Sequence, residues 1–172
     1  MGVLKNEIIG SWRLLSYIEV PVGGDESSFP LGKEPKGNLI FSPDGYMSVQ
    51  ISVKNPTMYN TEDRFSIADE KIATRARTYI AFTGKYATDN VRSHVTYFIE
   101  TSLNPNWEGL KQVRKMDFEG DILYQKSVEP ILSNGQMVHA YMTWQRIPKV
   151  TDDDWEEKDF ERLNKKERVG LL

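Results

Sequence analysis

The chain has 172 residues, 39% hydrophobic and 27% charged, with a formal net charge of −3, which suits one soluble domain able to close its own core. No basic segment stands apart, which argues against nucleic acid as a partner, and the absence of cysteine removes a disulfide framework, a thiolate nucleophile and cysteine-ligated zinc. No run is long enough to span a membrane, and Met1 to Glu7 lacks the apolar core of a cleaved signal, so a cytoplasmic location is the default expectation.

Glu7 to Gly10 reads as a short turn of helix leading into a first strand, Trp12 to Val20. Its face Trp12, Leu14, Ser16 and Ile18 is mostly apolar and is expected to point inward. Pro21 to Lys36 holds three prolines and three glycines and must be a loop, long enough to act as a lid. A second strand at Gly37 to Ser42 and a third at Tyr46 to Val53 flank the turn Pro43-Asp44-Gly45, where proline presets φ and glycine supplies a positive one. The third strand has faces Tyr46/Ser48/Gln50 and Met47/Val49/Ile51, and the pattern does not rank them.

The period then changes. Ile72, Ala76, Tyr79 and Ile80 follow the spacing of one helical face, Ser66 with Asp69 fits a capping box, and Gly84 fits a stop. A helix over Ile67 to Phe82 is predicted, inserted between strands three and four and burying that stripe against the barrel. Strands resume at Lys85 to Thr88, Val91 to Leu103, Leu110 to Phe118, Ile122 to Ser127 and Met137 to Ile147. Turns fall at Asp89-Asn90, Pro105-Asn106, Glu119-Gly120-Asp121 and Asn134-Gly135.

These make eight strands in all. Trp12 on the first and Arg146 on the last can stack, because a flat cation sits favourably on an indole face. That contact assigns both residues to structure and ties the first strand to the last. The expected fold is therefore all-β, an eight-stranded antiparallel up-and-down barrel, just wide enough to hold one small ligand. The barrel accounts for residues 1–150 and a charged tail for 151–172. In the tail, acids precede bases as a helix dipole favours, and Trp155, Phe160 and Leu163 lie within a broad arc. A helix there could dock on the barrel or on a second subunit, giving a homodimer; a solvated tail fits equally.

Several blocks together resemble a known group. Gly10-Ser11-Trp12 near the start and Arg146 on the closing strand resemble the lipocalin signature. Leu39-Ile40-Phe41-Ser42-Pro43-Asp44-Gly45-Tyr46-Met47-Ser48 is similar to the lipocalin-like domain family. So are Tyr79-Ile80-Ala81-Phe82-Thr83-Gly84-Lys85-Tyr86 and Asn104-Pro105-Asn106-Trp107-Glu108-Gly109 followed by Gln112-Val113-Arg114. The blocks occur in the family's order over about residues 8 to 147. The resemblance implies an eight-stranded barrel around a small, mostly apolar molecule, and no single agreed activity.

Within such a barrel the charges sort the faces. Lys111, Val113, Lys115 and Asp117 make a solvent face, which turns Gln112, Arg114, Met116 and Phe118 inward. A buried arginine needs a carboxylate, or an anionic or carbonyl-bearing ligand. The neighbouring strand offers Glu100 and His94 if its polar face, His94/Thr96/Phe98/Glu100, looks inward; by composition that face should look outward. In the functional reading Arg114 and Gln112 donate to a ligand oxygen while Glu100 or His94 moves a proton. In the structural reading Arg114 and Gln112 form a polar cluster at the barrel floor, and His94 is a surface residue. Candidate ligand contacts are Gln112, Tyr46, Ser48, Tyr79, Phe82, Tyr86, Trp107 and Met116. Trp107 and the helical pair Tyr79 and Phe82 serve equally as core, given the area that aromatic rings bury.

Two histidines and no close acidic pairing give no support for a metal, and no phosphate-cradling glycine loop supports a nucleotide, so no cofactor is expected. Three functions remain. One is a cofactor-free biosynthetic enzyme that cyclises, isomerises or dehydrates a polyketide- or terpenoid-like molecule by positioning and electrostatics. The second is a carrier or sequestering protein for a similar ligand. The third is an interaction module acting through its tail. The inward Arg114 and Gln112 tilt the sequence toward the enzyme.

Overall fold

The computed structural model describes residues 3–151. Its strands form one antiparallel sheet in which β1 (Gly10–Pro21) is hydrogen-bonded on one side to β2 (Lys36–Phe41) and on the other to β9 (Gln136–Arg146). Between them run β3 (Tyr46–Ser52), β4 (Tyr79–Asp89), β5 (His94–Ser102), β6 (Lys111–Glu119), β7 (Ile122–Ser127) and β8 (Ile131–Ser133). Each strand from β1 to β6 pairs with the next, and β7 pairs with β9. The short β8 also pairs with β9, at Gln136 to Val138, beyond the part of β9 that β7 covers. The sheet is thus a closed eight-stave barrel with one extra strand. Val128-Glu129-Pro130 separates β7 from β8, and proline removes a donor that a continuous strand would need.

The turns form where the sequence marks them. Gly45, Asn134 and Gly135 all have positive φ, the last two being the pair that a tight hairpin demands. Closure rests on the expected pair: the Arg146 guanidinium lies 4.2 Å from the centre of a Trp12 ring. The indole Nε1 donates to the Ile8 carbonyl at 2.8 Å, and Arg146 Nη1 donates to the Ile9 carbonyl at 3.1 Å. The helix α1 (Leu4–Ile8) is thereby pinned to the strand ends, with Leu4 and Ile8 buried. Trp12, Phe41, Met47, Leu123 and Trp144 are all buried.

Three expectations are corrected. First, β1 carries a bulge: Leu14 pairs with Trp144 and Ser16 with Thr143, so Leu15 is skipped. One extra residue reverses the alternation. Trp12 and Leu14 point inward as expected, but Ser16 and Ile18 do not. Tyr17 and Glu19 are buried in their place. Second, the helix α2 (Asp69–Arg77) is shorter than predicted and buries none of its residues. Tyr79 and Phe82 belong to β4, where Ser52 pairs with Tyr79 and Val49 with Phe82. The register of β3 extends the sheet beyond the point where local periodicity suggested a helix. The cap is not a box either: the N-cap residue of α2 is Ala68, which has no side-chain cap to offer, and Ser66 donates instead to Asp63 at 2.7 Å. Third, Gly84 ends no helix. It lies inside β4, where a Cβ would fall 1.9 Å from the Phe98 carbonyl oxygen, so only glycine lets β5 approach this closely.

The long loop after β1 is held by paired backbone bonds between Glu19 and Ser28 and by the buried Leu31. The expectation of a C-terminal helix falls outside the described residues. Among the described residues no helix is long and apolar enough to cross a membrane.

Candidate functional site

A cavity of about 390 Å³ opens inside the barrel at the end where β6 begins and β7 stops. That is within the range of about 300–1,000 Å³ usual for small-molecule sites. Its apolar wall comes from Val49, Ile51, Ile80, Phe82, Ala140 and Met142, the inward faces of β3, β4 and β9. The face of β3 that sequence could not choose is therefore Met47/Val49/Ile51. Tyr46 and Ser48 stand on the other face, Tyr46 exposed, and neither lines the cavity.

Polar groups gather on one side. Arg114 is 8% exposed and lines the cavity with Gln112, as the charge sorting on β6 predicts. Arg114 Nη2 donates to Gln112 Oε1 at 2.6 Å, and Nη1 to the Val113 carbonyl at 3.3 Å. Among the described residues no carboxylate lies within ion-pair distance of this guanidinium. Burial pulls the Arg114 pKa down, and the neighbouring Tyr97 and Tyr17 pull it back up. The guanidinium keeps its proton regardless, since its ordinary value lies so far above neutrality.

Glu100 is not its partner. The β5 register pairs Thr83 with Thr101 and Gly84 with Ile99, so Glu100 is the skipped residue of a second bulge. Its carboxylate lies outside, 3.8 Å from Lys85 Nζ. His94 pairs with Lys115 at the start of β5, on the same outer face. Val95, Tyr97 and Ile99 point inward. The composition of the two β5 faces had favoured this orientation, because the inner face carries the apolar residues.

Of the other candidates, Phe82 and Trp107 line the cavity and pack edge to face at 5.9 Å. Trp107 belongs to a single 3-10 turn, Pro105–Trp107, after β5. Met116 is buried in the core and Tyr86 donates to the Ser42 carbonyl at 2.7 Å; neither lines the cavity. Tyr79 hydrogen-bonds Gln50 on the outside, under the Arg75 guanidinium.

The cavity also holds polar residues that the candidate set lacks, namely Tyr17, Tyr97, Gln125, Lys111 and Glu129. Tyr17 donates to Glu19 Oε1 at 2.9 Å. Burial, then the Glu19 charge and its hydrogen bond, push the Tyr17 pKa upward, while Arg114 opposes them. Burial also raises Tyr97, against the charge of Arg114 and the hydrogen bond from Gln125. Both phenols are thus neutral at physiological pH and poor proton acceptors in the sense of a general base. Gln125 Nε2 donates to the Tyr97 hydroxyl, and Trp144 Nε1 donates to Gln125 Oε1 at 3.1 Å. The strict alternation of β7 could have placed Gln125 inside; the bulge hid Tyr17. Among the described residues no group of three or more potential ligands could hold a metal.

A closed eight-stave barrel with a mostly apolar cavity and a few convergent donors is a lipocalin-like architecture, and it fits the binding of a small molecule. The family model for the lipocalin-like domain matches residues 9–147, and the chain belongs to that family. It is also similar to the 4'-hydroxy-3'-methoxypropiophenone carrier protein ppsC of Aspergillus oryzae (strain ATCC 42149 / RIB 40). The two are 30% identical over 111 residues, which is 61% of this chain and 100% of that relative.

Proposed function

We propose that this protein carries a small, mostly apolar molecule with one oxygen-bearing end, and releases it unchanged. The observation behind this reading is Arg114: a guanidinium facing an apolar cavity with no carboxylate partner among the described residues. An isolated buried charge is costly, and an oxygen on the ligand relieves that cost. An aryl ketone is a suitable ligand class. Its ring suits the wall of Val49, Ile51, Phe82 and Met142, and its oxygen suits Arg114 and Gln112. The similar protein is named as the carrier of such a compound.

The enzyme reading, a cofactor-free cyclase, isomerase or dehydratase, is weakened by geometry. Its two proton carriers, Glu100 and His94, stand on the outer face of β5. One feature still favours it: the cavity residue Tyr17 is hydrogen-bonded to the buried Glu19, a pair that could relay a proton. Native mass spectrometry of the protein from its own source, followed by extraction, separates the two. A carrier shows a bound small molecule that is recovered unaltered in mass, chromatographic retention and NMR spectrum after incubation with the protein, the last two because isomerisation or cyclisation leaves the mass unchanged. Conversion of that molecule to a product would establish an enzyme, and a barrel that never retains any ligand would refute both.

A further inference from the structure

The polar side of the cavity contains two amides, Gln112 and Gln125, and each touches a group that can only donate. An indole N–H has no acceptor capacity, so the atom of Gln125 facing Trp144 must be the carbonyl oxygen, 3.1 Å away. The Gln125 NH₂ then faces Tyr97. Because NH₂ can only donate, the Tyr97 oxygen accepts, and the phenolic proton is left to point elsewhere. That proton has no acceptor among the described residues, and Tyr97 lines the cavity. The same logic holds for Gln112. Guanidinium only donates, so Gln112 Oε1 faces Arg114 Nη2 at 2.6 Å and its NH₂ is directed away from Arg114. Trp144 is fully buried and Gln125 is 3% exposed, so solvent does not offer the Gln125 amide an alternative orientation; Gln112 is half-buried, and its orientation is set by its bond to Arg114.

From these contacts we infer that Trp144 and Arg114 fix the direction of two amides, so that Tyr97, Gln112 and Arg114 present donors together and the cavity selects an acceptor-only oxygen, a ketone or an oxyanion, over the corresponding alcohol. The inference rests on the carrier reading and specifies what it carries. A ketone oxygen offers two lone pairs to these donors and brings no proton of its own. An alcohol in the same place brings its own proton toward groups that are themselves donors, and a buried unmatched donor is penalised. Tyr17 marks the limit of the donor wall, since its proton goes to Glu19 and its oxygen can accept.

The test compares 4'-hydroxy-3'-methoxypropiophenone with the benzylic alcohol formed by reducing its ketone. The two share ring, phenol and methoxyl, so the ratio of their dissociation constants isolates one oxygen. In the wild type the ketone should bind about tenfold tighter or more. Gln125→Glu supplies an acceptor to Tyr97, turns its proton away from the cavity, and should bring the ratio toward unity. Tyr97→Phe deletes that donor with little change in shape and should also reduce the ratio, which keeps the inference testable if Gln125→Glu fails to fold. Equal wild-type binding of ketone and alcohol, or a ratio unmoved in the folded variants, overturns the donor-wall inference and leaves the carrier reading standing. Binding of neither compound to the wild type overturns both.

Discussion

Arg146 lies over Trp12 at 4.2 Å and also donates to the backbone carbonyls of Ile9 and Glu7. One guanidinium thus joins the last strand, the first strand and the N-terminal helix. Gly10 is part of the same device: with φ of 124°, a Cβ there would meet Arg146 Nη1 at 3.3 Å. Arg146→Ala should therefore destabilise the barrel by about 2 kcal/mol in chemical denaturation, as a stacked cation and two carbonyl contacts are lost together. Arg146→Lys should recover less than half of the loss, because an ammonium cannot stack flat and bridge two carbonyls. Equal stability of wild type and Arg146→Ala would show that the strands close without this contact.

Arg114 should behave in the opposite way. It is buried without a carboxylate, so Arg114→Met removes an uncompensated charge and fills similar space. The variant should match the wild type in stability or exceed it by about 1–3 kcal/mol. Ligand binding should fall about tenfold or more, because a charge-assisted donor is gone. Denaturation and binding measured on the same preparation check both parts. Loss of stability with unaltered affinity would make Arg114 part of the scaffold.

Glu100 and His94 serve as the control. Both lie on the outer face of β5, and the Glu100 ion pair with Lys85 is exposed on both sides. Glu100→Gln and His94→Ala should leave affinity within about twofold and stability within about 0.5 kcal/mol. A large loss of binding in either would mean that the ligand reaches this face.

Gly84 faces the Phe98 carbonyl where β4 and β5 are drawn together by the bulge at Glu100. Gly84→Ala should cost about 3 kcal/mol, since its Cβ would overlap a backbone oxygen that cannot turn aside. Gly23 has open space around a built Cβ, and Gly23→Ala should change stability by less than about 1 kcal/mol. Denaturation of the two variants side by side makes the comparison.

Alkaline pH should loosen the barrel. Tyr17 and Tyr97 both have pKa values raised by burial above the unfolded value of about 10. The native state therefore holds their protons after the unfolded state has released them. Their contribution to stability is complete below about pH 10 and declines as pH rises beyond it. Tyr97→Phe should flatten this alkaline decline, read as the denaturation midpoint against pH. A slope identical to the wild type would mean that Tyr97 ionises as freely in the native barrel as in the unfolded chain.

Much of this molecule was written locally. Turns at Pro43-Asp44-Gly45 and Asn134-Gly135, the Trp12–Arg146 closure, and the inward side of β6 with Arg114 and Gln112 follow from residue chemistry and a period of two. Those features need only neighbours in sequence, or one recognisable pair, to be specified. The tertiary structure decided the rest. A bulge at Leu15 shifts the phase of β1 and brings Tyr17 and Glu19 inside, and nothing in the local pattern announces an extra residue. The register with β3 claims Tyr79 to Phe82 for a strand although their spacing also suits a helix. The direction of the Gln125 amide depends on Trp144, 19 residues away in sequence and adjacent only once the barrel has closed. Alternation is a property of one strand, but which atoms meet across the cavity is set by the register of all of them, and a single skipped residue is enough to change it.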